Sequence, residues 1–335
     1  MTSDLGRRRG DVGVLVVAPN LGPDVTWVAE IDPRVRVIDG NDGRGERDAP
    51  PANAEVLLVG FPVPSVLAAR ATGLRWAHHT QAGVSNLHGS DLWASPVMLT
   101  SGRGHVAATE IAEYVIASAF HFGSALHEGI QQKNAGEFVR GRYELRAVAA
   151  STMGIVGLGG IGGEIARLAR AVGMRVVATR RSANAPAADV DGVDLLFPPD
   201  RLAELVGQSD VVAVCAPLTE QTLRLINADV FAAMRPGAIL VNVARGEVVD
   251  EDALVAALEQ GRIRGAVLDV YDGELDGRPP RRELVELPQV LLTPHVAGVG
   301  DGAGRERAKE LFAENLRRYL DGGTLINVVD RERGY

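Results

Sequence analysis

Residues 154–170 read Gly-Ile-Val-Gly-Leu-Gly-Gly-Ile-Gly-Gly-Glu-Ile-Ala-Arg-Leu-Ala-Arg, and this stretch restricts the fold more than any other. A short apolar run, a Gly-x-Gly-x-x-Gly turn and an amphipathic run describe a strand, a tight turn and a helix. That arrangement cradles a dinucleotide pyrophosphate. Gly157 permits the turn, Gly159 lets the main chain approach the phosphates, and Gly162 lets the helix pack on the strand. Gly160 and Ile161 open the helix, where unpaired N–H groups and the positive end of the dipole favour an anion. Ile165, Leu168, Ala169 and Val172 share one helical face. Gly173 then stops the helix, and residues 175–179 read as the next strand. A glycine-rich surface loop would not need this context.

About twenty residues after the glycines, NAD-binding chains place an acid on the ribose 2′-hydroxyl. Here the second strand runs into Arg180-Arg181-Ser182. A carboxylate repels a 2′-phosphate, whereas guanidinium groups and a hydroxyl bind it through charge-assisted hydrogen bonds worth about 1.5–3 kcal/mol each. NADP is therefore the expected cofactor, with NAD as second choice.

Strand-like runs at 12–18, 35–38, 55–60, 74–80 and 97–100 form a first block, with a helical segment at 63–71 and a polar loop at 39–51. A long helical pattern starting near His105, with Ile111, Tyr114 and Val115 on or near one face, links it to a second block. There strands at 154–157, 175–179, 211–215, 238–243, 266–270 and 290–293 alternate with helices. Asn227 and Asp250 are placed to cap two of those helices, and Gly261 to end the second. Such alternation predicts mainly parallel sheets covered on both faces. A last amphipathic segment, 305–320, returns the chain to the first block.

At 335 residues the chain has room for two such domains, and its net charge of −8 provides no footprint for nucleic acid or an anionic membrane. No apolar run is long enough to span a bilayer. Arg7-Arg8-Arg9 precedes an apolar run, but Asp11 and Pro19-Asn20 do not suit an export signal. The single cysteine, Cys215, admits no internal disulfide, which fits a reducing, cytoplasmic setting. Its apolar surroundings suit a strand residue better than a nucleophile. Histidines lie scattered without partners at metal-ligand spacing, so no metal site is expected.

Three polar islands each follow an apolar strand. Residues 238–244 lead into Arg245-Gly246, residues 266–271 into Asp272-Gly273-Glu274, and residues 289–294 into His295. Loops at the carboxyl ends of parallel strands converge on the ligand crevice. The chemistry of the three is complementary. Arg245 can bind a carboxylate and polarise an adjacent carbonyl. His295 can give that carbonyl its proton or take it back. Glu274 can orient the imidazole and stabilise its charged form.

The motifs Asn242-Val243-Ala244-Arg245-Gly246, Leu268-Asp269-Val270-Tyr271 with Glu274, and Thr293-Pro294-His295-Val296-Ala297-Gly298 resemble those of the D-isomer-specific 2-hydroxyacid dehydrogenases, glyoxylate and hydroxypyruvate reductases especially. The resemblance runs from about residue 74 onward. It implies an α/β protein of two doubly wound parallel-sheet domains with a cleft between. One would be a Rossmann-type cofactor domain over 105–296, the other a flavodoxin-like substrate domain built from 1–104 and 297–335. It further implies Arg245, Glu274 and His295 as the catalytic set, with Gly83 and Val84 binding the substrate alongside Arg245 and His295. Cys215, Pro217, Thr222, Val243, Ala244 and Asp269 would line the nicotinamide side of the cofactor. A homodimer formed through 105–150 would reduce a small 2-oxo acid. Leu275 stands where the family has proline, which keeps Asp272 open as a second carboxylate for the Glu274 role. Two rival readings are an NAD-linked dehydrogenase of a larger 2-hydroxy acid and a non-catalytic dinucleotide sensor of the same fold.

Overall fold

Apolar runs bounded by glycine, proline and polar residues become the strands of two separate sheets. The computed structural model describes residues 10–41, 54–60, 63, 73–104, 106–299 and 302–334, with Arg142 described in its main chain alone. Arg7–Arg9, most of the polar loop, nearly all of the helical segment expected at 63–71, and His105 lie outside these. The chain divides into one unit of Met1–Val106 with Asp301–Tyr335 and another of Ala107–Gly300.

In the first unit, β1 (Val12–Val17), β2 (Val35–Asp39), β3 (Ala54–Val59), β4 (Trp76–His79) and β5 (Met98–Ser101) are all parallel. Their order is β2-β1-β3-β4-β5, the flavodoxin-like arrangement. Alternation sends Val12, Val14 and Val16 to one face, where the helix Ala303–Leu320 covers them with Phe312, Leu316 and Tyr319. Leu15, Leu57, Ala77 and Leu99 fill the other face. Trp76 stacks on Phe312 at 5.6 Å between ring centroids, and its Nε1–H donates to Thr100 Oγ1 at 2.9 Å. His78 Nδ1 meets the same hydroxyl at 2.7 Å.

The second unit holds β6 (Thr152–Val156), β7 (Arg175–Thr179), β8 (Ala187–Val190), β9 (Val193–Phe197), β10 (Val211–Val214), β11 (Ile239–Asn242), β12 (Gly265–Leu268) and β13 (Val290–Leu292). Their order is β13-β12-β11-β10-β6-β7-β9-β8, parallel except for β8 at the edge. It is the six-stranded Rossmann order extended by β13 at one edge and β8 at the other, and it reverses between β6 and β10, where such sheets open a ligand crevice. Met153 and Ile155 face the helices Ala108–Gly123 and Gly160–Ala171. Val156, Val212, Val214 and Leu240 face the helices of the opposite layer. Each such side chain contributes roughly 1.5–3 kcal/mol on burial.

Both expected caps are present. Asn227 Oδ1 accepts from the N–H groups of Asp229 and Val230, and Asp250 Oδ1 from those of Asp252 and Ala253. They open the helices Ala228–Ala233 and Glu251–Glu259, and each cap contributes about 1 kcal/mol. The linking helix begins at Ala108, breaks at Ala125 (φ 53°) and resumes as Leu126–Ala135. The β8–β9 hairpin is an element that the strand reading passed over. Its turn is Asp191-Gly192, with φ 53° and 79°. Two positive φ values suit a two-residue hairpin turn, for which Asp-Gly is a favoured pair. Among the described residues no helix is long and apolar enough to cross a membrane.

Candidate active site

The glycine turn joins β6 to the helix Gly160–Ala171 at the point where the strand order reverses. Gly157 sits at φ 102°, and a Cβ there would lie 2.9 Å from the Ala216 main chain. A Cβ on Gly162 would lie 2.4 Å from Gly157 O, so the helix rests directly on the turn. At Gly159 a Cβ would meet nothing within 4 Å, and Gly159 and Gly160 are exposed. The first bond of the helix is Gly163 N–H to Gly159 O, which leaves the N–H groups of Gly160, Ile161 and Gly162 ahead of the helical ladder. This open, donor-rich main chain fits a pyrophosphate. Thr179 at the end of β7 fixes the turn, accepting from Leu158 N at 2.7 Å through its carbonyl and from Gly157 N at 3.2 Å through Oγ1.

Arg180 follows β7, half-buried. Its Nη1 donates to Asp191 Oδ2 at 2.7 Å, and its Nε reaches Leu158 O, inside the glycine turn, at 3.3 Å. Arg181 and Ser182 are exposed beside it. Across the crevice, Cys215 follows β10. Its thiol is pushed up to about 12 by desolvation, although the residue keeps some exposure, so it is no nucleophile at neutral pH. The Thr222 hydroxyl works within its own loop, donating to Pro217 O at 2.6 Å and accepting from Thr219 N at 2.8 Å. Val243 and Ala244 are buried.

Three loops at the carboxyl ends of β11, β12 and β13 bring Arg245, Glu274 and His295 together. After β11, the buried amide of Asn242 accepts from Ala244 N at 3.1 Å and donates to Arg245 O at 3.0 Å, which closes the turn that presents Arg245. Arg245 Nη1 donates to Ala244 O at 2.7 Å. Burial lowers the pKa of this guanidinium, while the carboxylates of Glu274 and Glu247 act in the opposite direction. Gly246 allows the β12 loop to close in, since a Cβ there would collide with the Tyr271 main chain at 1.9 Å. Glu251 Oε1 accepts from Asp272 N at 2.9 Å and steadies the same loop.

Glu274 opens a short 3-10 turn after Gly273 (φ 85°) and is nearly buried. Its Oε1 lies 2.9 Å from His295 Nδ1, a contact that becomes an ion pair when the ring is protonated and in which the ring N–H is not aligned as a full hydrogen bond. Asp272, the other carboxylate open to this role, instead pairs with Arg278 at 3.1 Å. His295 adopts φ 56°, a left-handed conformation that a side chain other than glycine rarely holds without restraint. The restraint is Asp269, only 2% exposed. Its Oδ1 accepts from Thr293 Oγ1 at 2.6 Å and Val296 N at 2.8 Å, and its Oδ2 accepts from Ala297 N at 2.9 Å. His295 N also donates to Asp269 O at 2.8 Å. Tyr114 Oη lies 2.6 Å from Thr293 Oγ1. Because the threonine proton is committed to Asp269, Tyr114 must be the donor. Burial raises the Tyr114 pKa, which keeps that proton in place.

Asp269 thus directs its carboxylate at the loop carrying His295. Asn242 and Thr293 stand inside the quoted motifs and Tyr114 on the linking-helix face, but the sequence assigns none of the three a role in the site. The first was detectable as a polar residue ending a buried apolar strand. The partners of the other two could not be read locally, because they lie 24 and 179 residues away. In the first unit, Gly83 and Val84 follow β4, and Val84 packs its side chain into the core, so only its main chain is available to a ligand.

Comparison with known proteins yields a family model, "D-isomer specific 2-hydroxyacid dehydrogenase, NAD binding domain", matching residues 116–297. The chain is 40% identical over 213 residues to a glyoxylate reductase of Thermococcus onnurineus, covering 59% of this chain and 61% of that protein. It is 32% identical over 256 residues to an (S)-sulfolactate dehydrogenase of Chromohalobacter salexigens, covering 76% and 80% respectively. Among solved structures, a D-isomer specific 2-hydroxyacid dehydrogenase from Xanthobacter autotrophicus Py2, in complex with NADPH and MES, superposes with a TM-score of 0.82 at 28% identity. That match covers 97% of this chain and 100% of the other.

Proposed function

Since the chain belongs to the D-isomer-specific 2-hydroxyacid dehydrogenase family, we propose that it is an NADPH-preferring oxidoreductase reducing a small 2-oxo acid, glyoxylate or hydroxypyruvate, to the 2-hydroxy acid. The observation that carries this reading is the 2.9 Å contact of His295 with Glu274, on loops adjoining that of Arg245 in the unit that also holds the glycine turn. The Thermococcus relative named glyoxylate reductase and the NADPH complex of the Xanthobacter protein support substrate class and cofactor.

The glycine turn would hold the pyrophosphate, and Arg180, Arg181 and Ser182 the 2′-phosphate. When bound, NADPH supplies the hydride. Arg245 binds the substrate carboxylate with its planar fork of donors and draws charge toward the carbonyl oxygen. His295, protonated, gives its Nε2 proton to that oxygen, while Glu274 at Nδ1 holds the ring and balances its charge. Asp269 keeps the histidine loop in its strained conformation, so the ring need not be reoriented during turnover.

The arm formed by the helix Leu126–Ala135 and the segment after it exposes several large apolar side chains. Phe138 is 86% exposed and Leu145 69%, with Leu126 and Ile130 also bare. We assign this arm to the contact between two copies, in a cytoplasmic homodimer. Sedimentation at twice the chain mass is expected, and a monomer at micromolar concentration would reject the assignment. The activity is tested by following NADPH and NADH oxidation against glyoxylate, hydroxypyruvate, pyruvate and bulkier 2-oxo acids. Fast turnover of a short acid with NADPH is expected. Tight NADPH binding without turnover of any acid would overturn the enzymatic reading.

A further inference from the structure

We propose that Asp191 tunes the cofactor preference of this site by competing with the 2′-phosphate for Arg180. The inference rests on the NADP reading above and extends it to a residue on a different element. Arg180 is not an idle cation awaiting a phosphate. Its Nη1 is engaged by Asp191 Oδ2 at 2.7 Å and its Nε by Leu158 O at 3.3 Å, so the guanidinium bridges the glycine turn and the tip of the β8–β9 hairpin. A phosphate held by a guanidinium takes two parallel donors. One of the Arg180 donors is already given to a carboxylate, and that carboxylate repels an incoming phosphate as well.

The hairpin backbone does not require an acid at this place. Asp191 and Gly192 both have positive φ, 53° and 79°, and asparagine, aspartate and glycine all serve in such a turn. What separates aspartate from the other two is its charge. The pair is half exposed, with side-chain exposures of 32% and 45%, so it is a contact that a ligand can displace. Arg180 N–H is meanwhile anchored to Phe197 O at 3.1 Å in β9, so the arginine main chain stays fixed when its side chain changes partner. Asp189, on the same hairpin at φ 50°, adds a second exposed carboxylate nearby in the chain. With Asp191 removed, the Nη1 side of the guanidinium is released to the phosphate while Nε stays on Leu158 O, and discrimination against NAD rises.

The test measures binding without turnover. The intact protein and its Asp191→Asn, Asp191→Gly and Arg180→Gln variants are titrated calorimetrically with NADP+, NAD+ and the fragment 2′,5′-ADP. Both Asp191 variants are expected to raise the ratio of the NAD+ to the NADP+ dissociation constant threefold to tenfold, about a tenfold change being 1.4 kcal/mol. They should also tighten 2′,5′-ADP by the same factor, with the gain shrinking in high salt. If both leave that ratio within twofold of the parent while Arg180→Gln weakens NADP+ tenfold, the competition does not exist and the cofactor reading survives. If the parent binds NAD+ more tightly than NADP+ and Arg180→Gln changes neither, the cofactor reading itself fails and the inference falls with it.

Discussion

Asp269 and His78 are equally removed from water, at 2% and 0% exposure, yet they serve opposite ends. Asp269 directly follows β12 of the second unit, and every hydrogen bond to its carboxylate comes from residues 293–297, the loop that carries His295. His78 lies within β4 of the first unit, beside Trp76 and Phe312, with Thr100 as its polar contact. Burial alone therefore says nothing about function. The partners decide it. A buried group whose bonds converge on a strained loop holds that loop in place, whereas one whose neighbours are core rings is packing material with a polar atom.

The strongest way to break the comparison is to remove the carboxylate. Asp269→Ala takes the acceptors from three donors, each worth about 1–1.5 kcal/mol net and more where charge-assisted, so a loss of roughly 3–5 kcal/mol is expected in urea denaturation. Because His295 is then free to leave φ 56°, kcat should fall at least a hundredfold. A variant of near-parental stability and turnover would show that the loop holds itself.

A second test uses pH. Desolvation, with a smaller contribution from the neighbouring His79, pushes the His78 pKa down to about 3 from an ordinary value of 6.5. The unfolded chain takes up the proton near 6.5 and the folded one only near 3. His78 therefore leaves stability untouched above pH 6.5 and erodes it progressively as the pH falls toward 3. The loss is about 2 kcal/mol between pH 6.5 and 5. His78→Asn should flatten that part of the stability profile without changing turnover at pH 7.5. An unchanged slope would contradict the buried, neutral histidine.

The finest test sits at the far end of the Asp269 chain. Tyr114→Phe deletes one hydroxyl that donates to Thr293 at 2.6 Å. About 1 kcal/mol of stability should go, with a fewfold loss in kcat and an unchanged NADPH affinity. Loss of NADPH binding instead would place Tyr114 in a different role.

Much of this was legible beforehand. The strand-turn-helix around Gly157 and the caps at Asn227 and Asp250 depend on residues close in sequence, where spacing and residue type are enough. The loops ending in Arg245, Glu274 and His295 could be read because parallel sheets gather their strand ends whatever the intervening sequence. Partner choice was less accessible. That Asp269 serves residues 293–297, or that Arg180 meets Asp191, depends on how side chains turn at a strand end, and no periodicity encodes it. The β8–β9 hairpin was missed because Ala187–Val190 is a short, half-exposed edge strand without an apolar run, though Asp191-Gly192 marked its turn.

The most direct measurement is single-turnover oxidation of enzyme-bound NADPH by glyoxylate, comparing the parent with His295→Gln at equal cofactor saturation. With His295 as the proton donor, the variant should bind NADPH within threefold of the parent and turn over about a hundred to ten thousand times more slowly. Turnover within tenfold of the parent would contradict the account.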